Sequence, residues 1–371
     1  MKLVIEKNIL LEKLTNVMRA ISSRNLIPIL NGVKFELKKE GLYLTASDSD
    51  LIIQSFIDKK DIKTIKEVGV IIIQSKYLLD IIRKLPNGDI NIEVIDGLKI
   101  IISTDNTIFN LNCLNNEDYP QLKFEEINNP INLESDLLKK IIHQTLFAIS
   151  NQESRPLLTG VNLKLVDNKL NCIATDSYRL AKKTIELEKN YENFDIVIPG
   201  KNLNELNKLL SENNIVEIHP FINKIIFKYK DYIFQSNLLS GVYPDTMNFI
   251  PKEFNFILTT SLVSFMSAID RAALLTQNKD KNIVKMETKP NEVLISSFAS
   301  EIGKVEEKLL VDKNNNENIS ISFSSKYMSE ALKTFEEEDL LILLNSDSQP
   351  IILKSIKDET LIQLILPIKT Y

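Results

Sequence analysis

Acidic residues recur in one short motif at three well-separated places in the chain. The motif reads Ala46-Ser47-Asp48, Ala174-Thr175-Asp176 and Ala299-Ser300-Glu301. Carboxylates serve as general acids and bases and as Mg²⁺ ligands, so a catalytic or metal site is the first hypothesis to consider. The three copies lie about 125 residues apart in repeated units, and an acidic side chain also caps turns. We therefore expect each carboxylate to cap a turn in its own repeat.

Histidines and short catalytic motifs give no support to an enzyme. The chain has only two histidines, His143 in a predicted helix and His219 in a predicted strand, and they fall in different repeats. The sequence has no GxSxG, Walker A, GxGxxG or HExxH motif. We predict no catalytic residue, no metal site and no cofactor, and we favour a non-enzymatic function over the enzyme alternative.

Composition describes a folded protein of several domains. The 371 residues are too many for one ordinary core, and 44% hydrophobic with 26% charged residues is typical of a globular chain. Cys113 and Cys172 lie in strand-like runs without a CxxC pair, which indicates buried reduced thiols in a cytosolic protein. The first seven residues do not resemble a signal peptide, and no apolar stretch reaches about 18 residues. A cytoplasmic location without membrane contact is expected.

Three segments share one order of elements, which indicates an internal triplication. Each begins with an amphipathic helical pattern, at residues 8–24, 135–149 and 261–275, and has a second helix, at residues 75–85, 200–211 and 325–335. The second helices begin alike, since Lys76, Lys201 and Lys326 are 125 residues apart each time. We predict three domains with boundaries 1–125, 126–250 and 251–371.

Strand-like runs and turn-rich connections complete each copy. Phe109 and Phe234 keep the spacing of 125 residues, and Tyr119-Pro120 and Tyr243-Pro244 end the first two copies. The polar connections 115–132 and 239–255 separate the copies, but only 9 glycines occur in the chain, so we expect edge-to-edge packing rather than flexible linkers. Two helices with some six to eight strands per copy predict an α+β fold in which both helices cover one sheet face.

The distribution of charge offers a nucleic-acid interpretation despite a net charge of −5. The six predicted helices hold 13 basic and 6 acidic residues, a balance of +7, whereas the rest of the chain has 32 basic and 44 acidic residues, a balance of −12. One interpretation is that these lysines are simply solvated. The other is that the helices share a surface facing a polyanion, held by phosphate contacts without base readout. A peptide-binding scaffold that never meets DNA is the remaining alternative.

Several stretches resemble the bacterial DNA polymerase III β subunit, the β sliding clamp, along nearly the whole chain. These are residues 27–32 (IPILNG), 174–181 (ATDSYRLA), 241–245 (GVYPD) and 364–371 (LILPIKTY). The similarity looks greatest to members from low-GC Gram-positive bacteria or Mollicutes. It implies three DNA-clamp domains per chain, each with two helices packed on antiparallel sheets. Two chains would form a head-to-tail homodimer, a six-domain ring around double-stranded DNA.

The resemblance also implies the residues that contact DNA, without reading its sequence. They match Arg24, Gln152, Lys201 and Tyr327, with Lys279 or Lys281 in a basic loop. Arg24 could instead be a solvated residue at a helix end, and Tyr327 could be an ordinary core tyrosine.

A docking pocket for partner peptides is implied between the second and third repeats. Its apolar walls match Leu158, Thr175, Leu180, Pro244, Leu364, Leu366, Pro367 and Ile368, and its rim matches Ser177, Tyr178 and Arg179. The expected partners are the DNA polymerase III catalytic subunit, the clamp loader and other proteins with a clamp-binding motif. Asn248 and Tyr178 depart from the arginine and histidine common in the family, which puts the peptide preference in doubt. The C-terminal residues could alternatively be an ordinary edge strand.

Ring closure is implied between the first repeat of one protomer and the third repeat of the other. Phe109 and Leu111 would meet Leu274 and Leu275 at this interface. These apolar residues could equally belong to the core. Extending a sheet across the joint would cover strand edges that otherwise favour aggregation.

Overall fold

The computed structural model describes residues 1–22, 25, 27–96, 98–276 and 282–369. The chain forms two compact units, one of Met1–Leu138 with Lys201–Leu238 and the other of Lys139–Gly200 with Leu239–Tyr371. The middle repeat contributes to both units, so this division differs from the three repeats. The boundaries 1–125, 126–250 and 251–371 remain our proposal for the domains.

Six α-helices occur in the described residues, two per repeat. They are α1 (Lys7–Val17), α2 (Ser75–Lys84), α3 (Ser135–Leu146), α4 (Gly200–Leu209), α5 (Leu262–Ala273) and α6 (Ser325–Leu332). Serine hydroxyls mark two of the starts, because Ser261 accepts from the backbone N–H of Ser264 and Ser324 accepts from that of Tyr327. Lys76, Lys201 and Lys326 are each the second residue of the second helix, as the constant spacing predicted, and each is exposed.

The strands keep one order around these helices in all three repeats. The first repeat has β1 (Lys2–Glu6), β2 (Gly32–Leu37), β3 (Gly41–Ser47), β4 (Leu51–Asp58), β5 (Ile62–Glu67), β6 (Gly69–Gln74), β7 (Asp89–Ile95), β8 (Lys99–Ser103) and β9 (Ile108–Leu114). The second has β10 (Ile131–Glu134), β11 (Gly160–Val166), β12 (Lys169–Thr175), β13 (Arg179–Glu186), β14 (Phe194–Pro199), β15 (Ile215–Pro220), β16 (Lys224–Tyr229) and β17 (Tyr232–Asn237). The third has β18 (Phe256–Ser261), β19 (Ile283–Thr288), β20 (Glu292–Ala299), β21 (Gly303–Leu310), β22 (Asp312–Lys313), β23 (Ser320–Ser324), β24 (Asp339–Leu344), β25 (Ile351–Ser355) and β26 (Leu361–Ile365).

Three details of the predicted elements were wrong. Each repeat opens with a short strand, not a helix, and the first and third repeats have nine strands, not eight at most. The first helix ends at Val17 and continues only as a 3-10 turn over Met18–Ala20, well short of residue 24. Ile21 is already extended, with φ −85° and ψ 121°, because β-branched and serine residues in this stretch are weak helix formers.

Antiparallel ladders join the repeats edge to edge, which confirms that prediction. β4 of the first repeat pairs with β17 of the second, and Phe234 lies opposite Ile53. β13 of the second repeat pairs with β26 of the third, and Leu180 lies opposite Leu364. The first ladder belongs to a 13-stranded sheet and the second to a 9-stranded sheet, and a separate 4-stranded sheet has the order β21-β20-β19-β23.

Helices cover the sheets through apolar faces of helical period. In the third repeat, Phe265 and Ile269 of α5 and Met328 and Leu332 of α6 are fully buried in one core. The spacing of four residues places each pair on one side of its helix, as the sequence pattern predicted. The free thiols of Cys113 on β9 and Cys172 on β12 are buried, which confirms their prediction, and burial raises the pKa of Cys113 to about 11.

The connection between the first two repeats is held against β15 and β16 by a hydrogen bond and two ion pairs. The backbone N–H of Ile127 donates to Nδ1 of buried His219 at 3.2 Å. Glu125 pairs with Lys224 at 3.0 Å, and the carboxylate of Glu126 pairs with Lys228. Since Nδ1 must be unprotonated to accept a hydrogen bond, the hydrogen bond from Ile127 requires a neutral imidazole at His219.

Candidate functional site

An apolar pocket of about 550 Å³ lies beside the ladder of β13 and β26. This volume lies within the usual range for sites that bind small molecules or short peptide segments. Eight of the predicted pocket residues line it, namely Leu158, Thr175, Ser177, Arg179, Leu180, Pro244, Leu364 and Leu366. The structure therefore brings together residues from the second repeat, the following connection and the C-terminal strand.

Strand register explains the floor of the pocket. Leu180 of β13 lies opposite Leu364 of β26, which in turn lies opposite Ile352 of β25. Paired residues in an antiparallel sheet point to the same face, so these three buried side chains form one apolar row. They belong to a single cluster with Leu158 and Tyr243.

A related apolar cluster occurs in the first repeat. Leu30, Ile72 and Tyr119 pack together there, as Leu158, Val197 and Tyr243 do beside the pocket. Ile72 and Val197 are 125 residues apart on equivalent strands, and both tyrosines belong to the Tyr-Pro pairs that the sequence indicated. The pocket is therefore built on a local arrangement that two repeats share.

The acidic motif shapes a turn at the edge of the pocket. Oδ1 of Asp176 accepts from the backbone N–H groups of Tyr178 and Arg179, and Ser177 between them has φ 77°. Oδ1 of Asp48 accepts in the same way from residues 50 and 51 around Ser49, which has φ 78°. The prediction that these carboxylates cap turns is confirmed for Asp48 and Asp176.

In the third repeat, Glu301 lies exposed in the turn between β20 and β21. Among the described residues, no group of three or more His, Cys, Asp or Glu side chains is placed to hold a metal ion.

Arg179 lies inside the protein, not on the rim as expected, with only 7% of its surface exposed. Its Nε donates to Oδ2 of Asp176 at 3.0 Å, and its Nη1 donates to the carboxylate of Glu330 on α6. The guanidinium also lies over the rings of Phe147 and Tyr327, at 5.2 and 4.5 Å from their centroids. Two carboxylates and two aromatic faces offset the cost of burying the charge.

Two tyrosines near the turn at Asp176 differ in exposure and in contacts. Tyr178 is 59% exposed and stacks on Tyr327, with ring centroids 6.4 Å apart, and it does not line the pocket. The hydroxyl of Tyr243 accepts from the backbone N–H of Thr175 at 3.1 Å, and burial raises the pKa of Tyr243. Tyr243 thereby holds the end of β12 against the pocket.

Three further predicted pocket residues lie outside it. The side-chain amide of Asn248 donates to Asp245 at 2.9 Å, within its own turn. Pro367 and Ile368 leave the pocket, because the backbone N–H of Ile368 donates to the carbonyl of Ser322 at 2.7 Å. The C-terminal residues therefore line the pocket only as far as Leu366, whose N–H donates to the carbonyl of Tyr178.

Six residues of the pocket were missed in the sequence. They are Arg155, Pro156, Leu157, Thr246, Phe249 and Pro350. Nη1 of Arg155 donates to Oγ of Ser177 at 2.9 Å, so this arginine closes one side of the turn. Phe249, an aromatic residue in the turn-rich connection 239–255, was the available signal, because exposed aromatic side chains often mark binding surfaces and Phe249 is exposed.

The predicted DNA-contacting residues lie apart from the pocket floor or outside the described residues. Gln152 is exposed after α3, and the ammonium of Lys201 pairs with Asp50 at 3.0 Å. Tyr327 is part of the arginine cluster, where burial raises its pKa. Arg24, Lys279 and Lys281 are outside the described residues.

In each compact unit two helices pack on each other, and an ion pair links them to a third helix. In one unit α1 packs on α2, and Arg19 after α1 pairs with Glu205 of α4 at 3.5 Å. In the other, α5 packs on α6, and Lys140 of α3 pairs with Glu336 at 2.6 Å. The helices as observed carry 11 basic and 6 acidic residues, so they keep the positive balance that the sequence indicated.

The predicted dimer residues lie at strand edges and a helix end. Leu274, just after α5, is 64% exposed, while Leu275, Phe109 and Leu111 are half-buried. β9 pairs with β6 only through Cys113 and Leu114, so its residues 108–112 have a ladder on one side alone within the described chain. β21 is likewise the edge strand of its sheet.

No helix among the described residues is long and apolar enough to cross a bilayer.

Comparison with known proteins identifies relatives over the whole chain. Models of the N-terminal, central and C-terminal domains of the DNA polymerase III beta subunit match residues 1–123, 132–245 and 247–369. The beta sliding clamp of Bacillus subtilis is 42% identical over 378 aligned residues and that of Staphylococcus aureus is 38% identical, with 100% of each chain covered.

Solved structures agree with these matches. A crystal structure of the Bacillus subtilis DNA polymerase sliding clamp superposes with a TM-score of 0.97 at 41% identity. The DNA polymerase III beta chain of Streptococcus pneumoniae superposes with a TM-score of 0.94 at 35% identity. Both comparisons cover 100% of both chains.

Proposed function

The chain belongs to the DNA polymerase III β subunit family, and on this basis we propose that it is a DNA polymerase processivity factor. Its function is non-enzymatic. A homodimeric ring encircles double-stranded DNA and slides on it without reading sequence, and the apolar pocket holds the polymerase to the ring.

The proposed ring closure repeats the strand pairing that joins consecutive repeats within the chain. At each joint, the strand after the acidic turn of one repeat pairs with the last strand of the next repeat, as β4 does with β17 and β13 with β26. In the third repeat the strand after that turn is β21, and the last strand of the first repeat is β9. Both have an open edge among the described residues. The same joint between two copies pairs β21 of one protomer with β9 of the other, twice per ring.

The internal joints also indicate the register of this external one. Leu51 pairs with Ser236 and Arg179 pairs with Ile365, and the first residue of each pair is the third after the acidic residue of its turn.

The corresponding residue in the third repeat is Lys304, three after Glu301. The counterpart of Ser236 in the first repeat is Leu111, 125 residues earlier. We therefore expect Lys304 opposite Leu111 of the second copy, which pairs residues 303–307 with the open segment 108–112. Phe109, Leu111, Leu274 and Leu275 would then lie at or near the joint.

Dimensions support a ring that accepts a duplex. Twelve helices about 9 Å apart have a circumference of about 110 Å and a diameter of about 35 Å. Removing about 5 Å of helix radius on each side leaves roughly 24 Å, compared with a duplex about 20 Å across. Basic helices hold the phosphates loosely, so the protein slides, and topology rather than affinity prevents escape. Arg24, Gln152, Lys201, Lys279, Lys281 and Tyr327 are the proposed contacts.

Partner docking at the pocket uses a short extended peptide with glutamine and aliphatic or aromatic anchors. The buried apolar row of Leu180, Leu364 and Ile352 supports this assignment, because Leu180 and Leu364 line an open cavity and Ile352 packs against them. We propose the DNA polymerase III catalytic subunit, the clamp loader and other proteins with the same motif as partners. A cytoplasmic location fits the two free thiols, Cys113 and Cys172.

The repeated strand-to-strand joint is the observation that carries the ring. Its test compares loaded protein on closed circular DNA with loaded protein on the same DNA made linear. We expect retention on the circle and loss from the linear form, since only free ends release a ring. Equal retention on both forms would contradict encirclement.

A further inference from the structure

Two lysines continue the floor of the pocket along the sheet. Lys182 of β13 lies two residues beyond Leu180 and pairs with Ile362 of β26. Lys354 of β25 lies two residues beyond Ile352. Because strand residues two apart share a face, both lysines lie on the face that forms the pocket floor.

The position of Lys182 is continuous with the wall of the pocket. Its ammonium lies 3.4 Å from the sulfur of Met247. Met247 follows Thr246 and precedes Phe249 by two residues, and both of these line the pocket. Lys182 and Lys354 are half-buried, and partly buried Ile362 and Leu341 belong to the same apolar cluster as the floor.

The ammonium groups of these two lysines lack a carboxylate partner in the part of the chain that the structure describes. Within the described residues, neither ammonium pairs with a carboxylate, whereas the next residue, Lys183, pairs with Asp358 at 2.6 Å on the opposite face. Burial lowers the pKa of Lys182, and the nearby charge of Lys354 lowers it further. Two like charges on one half-buried face disfavour each other, so an external anion that binds there is stabilised.

We propose that Lys182 and Lys354 form a basic ledge that binds acidic side chains flanking the anchor residues of a partner peptide. The proposal rests on the proposed function of the pocket and adds a determinant of partner choice. We choose a peptide as the occupant because the ledge continues the apolar floor of the pocket. Each residue of an extended peptide advances about 3.3 Å along the chain. A carboxylate about two residues from an anchor therefore reaches the ledge while the anchor stays in the pocket.

The test uses synthetic peptides that differ only in the flank. Each carries the same glutamine and apolar anchors, with two glutamates or two glutamines placed before the anchors or after them. Binding to the full-length protein is measured by fluorescence polarisation. We expect the glutamate flank on one side to bind roughly three- to tenfold more tightly than its glutamine counterpart, with the preference reduced by salt.

The variant K182Q/K354Q should remove this preference and leave the affinity for the glutamine-flanked peptide unchanged. K357Q, the same change at an exposed lysine in the next turn, should keep the preference. The double variant should have a thermal midpoint equal to or above that of the unsubstituted protein, because it relieves repulsion.

The remaining outcomes distinguish rejection of the basic ledge from rejection of the proposed pocket function. Equal binding of both flanks would reject the ledge and keep the pocket, whereas no binding of any peptide would reject the proposed function itself. A preference that persists in K182Q/K354Q would assign it to other residues and reject the proposal. Binding of a single-stranded oligonucleotide that depends on these lysines, without a flank preference, would reject the peptide in favour of nucleic acid.

Discussion

The guanidinium of Arg179 donates a hydrogen bond to the carboxylate of Glu330, 151 residues further along the chain. This contact joins the wall of the proposed docking pocket to α6, the second helix of the third repeat. Arg179 is buried while the Glu330 side chain is 33% exposed, so the pair is neither a surface salt bridge nor a fully desolvated one.

Removing the negative charge of Glu330 should destabilise the protein measurably. We expect Glu330→Gln to lower the free energy of unfolding by about 1–2 kcal/mol, because Arg179 keeps Asp176 but loses one of two carboxylates. Asp80→Asn, which breaks an exposed pair with Arg83 on α2, should cost distinctly less. Urea unfolding followed by tyrosine fluorescence measures both, and equal effects would contradict a buried role for Glu330.

Ring closure should depend on the apolar residues after α5. The unsubstituted protein should have about twice the chain mass of 42.4 kDa in solution. Leu274→Ala with Leu275→Ala should shift it toward monomer, because about 2 kcal/mol or more of apolar burial is lost at each joint. Light scattering during size-exclusion chromatography measures the mass. A double variant that stays dimeric at low concentration would remove these residues from the interface.

Engineered disulfides can test the register of the joint. Leu111→Cys with Lys304→Cys should crosslink two protomers under mild oxidation, because directly opposite residues have Cα atoms about 4.5–5.5 Å apart. Leu111→Cys with Glu306→Cys, shifted by two residues, should crosslink poorly. The native thiols should not interfere, since burial raises the pKa of Cys172 to about 12. Efficient crosslinking of the shifted pair alone would overturn the proposed register.

Polymerase docking should fail when a charge enters the pocket. Leu366 lines the pocket and is 38% exposed, so Leu366→Glu should fold normally yet abolish stimulation of the polymerase. Val242→Glu places the same charge on a 90% exposed residue that does not line the pocket, and it should retain stimulation. Primer extension on a loaded circular template measures both. Full stimulation by Leu366→Glu would remove the pocket assignment.

Stability should fall in mild acid because of His219. Burial and then Lys228 lower its pKa from 6.5, so the unfolded chain binds this proton more readily than the folded protein. The folded state therefore keeps its full stability above pH 6.5 and loses up to about 1.4 kcal/mol per pH unit as the pH drops below it. His219→Gln should remove this dependence and His143→Gln should not. Urea unfolding between pH 7 and 5 measures it, and identical slopes would exclude His219.

Structural features whose sequence motifs recur in the repeats could be predicted from the sequence. The starts of the second helices were accurate because Lys76, Lys201 and Lys326 keep one spacing, and chance does not reproduce such a pattern. The edge-to-edge joints and the caps by Asp48 and Asp176 followed from the same repetition. Most of the pocket was anticipated through the resemblance, since Leu180 and Leu364 of its floor lie within the matching stretches, whereas Ile352 lies outside them.

Features that depend on distant partners could not be predicted. Burial of Arg179 requires Glu330, Phe147 and Tyr327, none of which is near it in sequence. The wall formed by Phe249 comes from the connection 239–255, in which the resemblance pointed only to Pro244 and Asn248. The short opening strands were missed because five residues carry too little periodicity beside a long helical pattern.

The acidic turn and its tyrosine-centred cluster occur in two repeats, but their chemistry differs at one position. The third residue after the aspartate is Leu51 in the first repeat and Arg179 in the second, where the pocket opens. In the proposed ring of two chains, this pocket of the second repeat occurs once in each chain. If more than two partners compete for these two sites, the order in which they exchange depends on how quickly each bound partner dissociates.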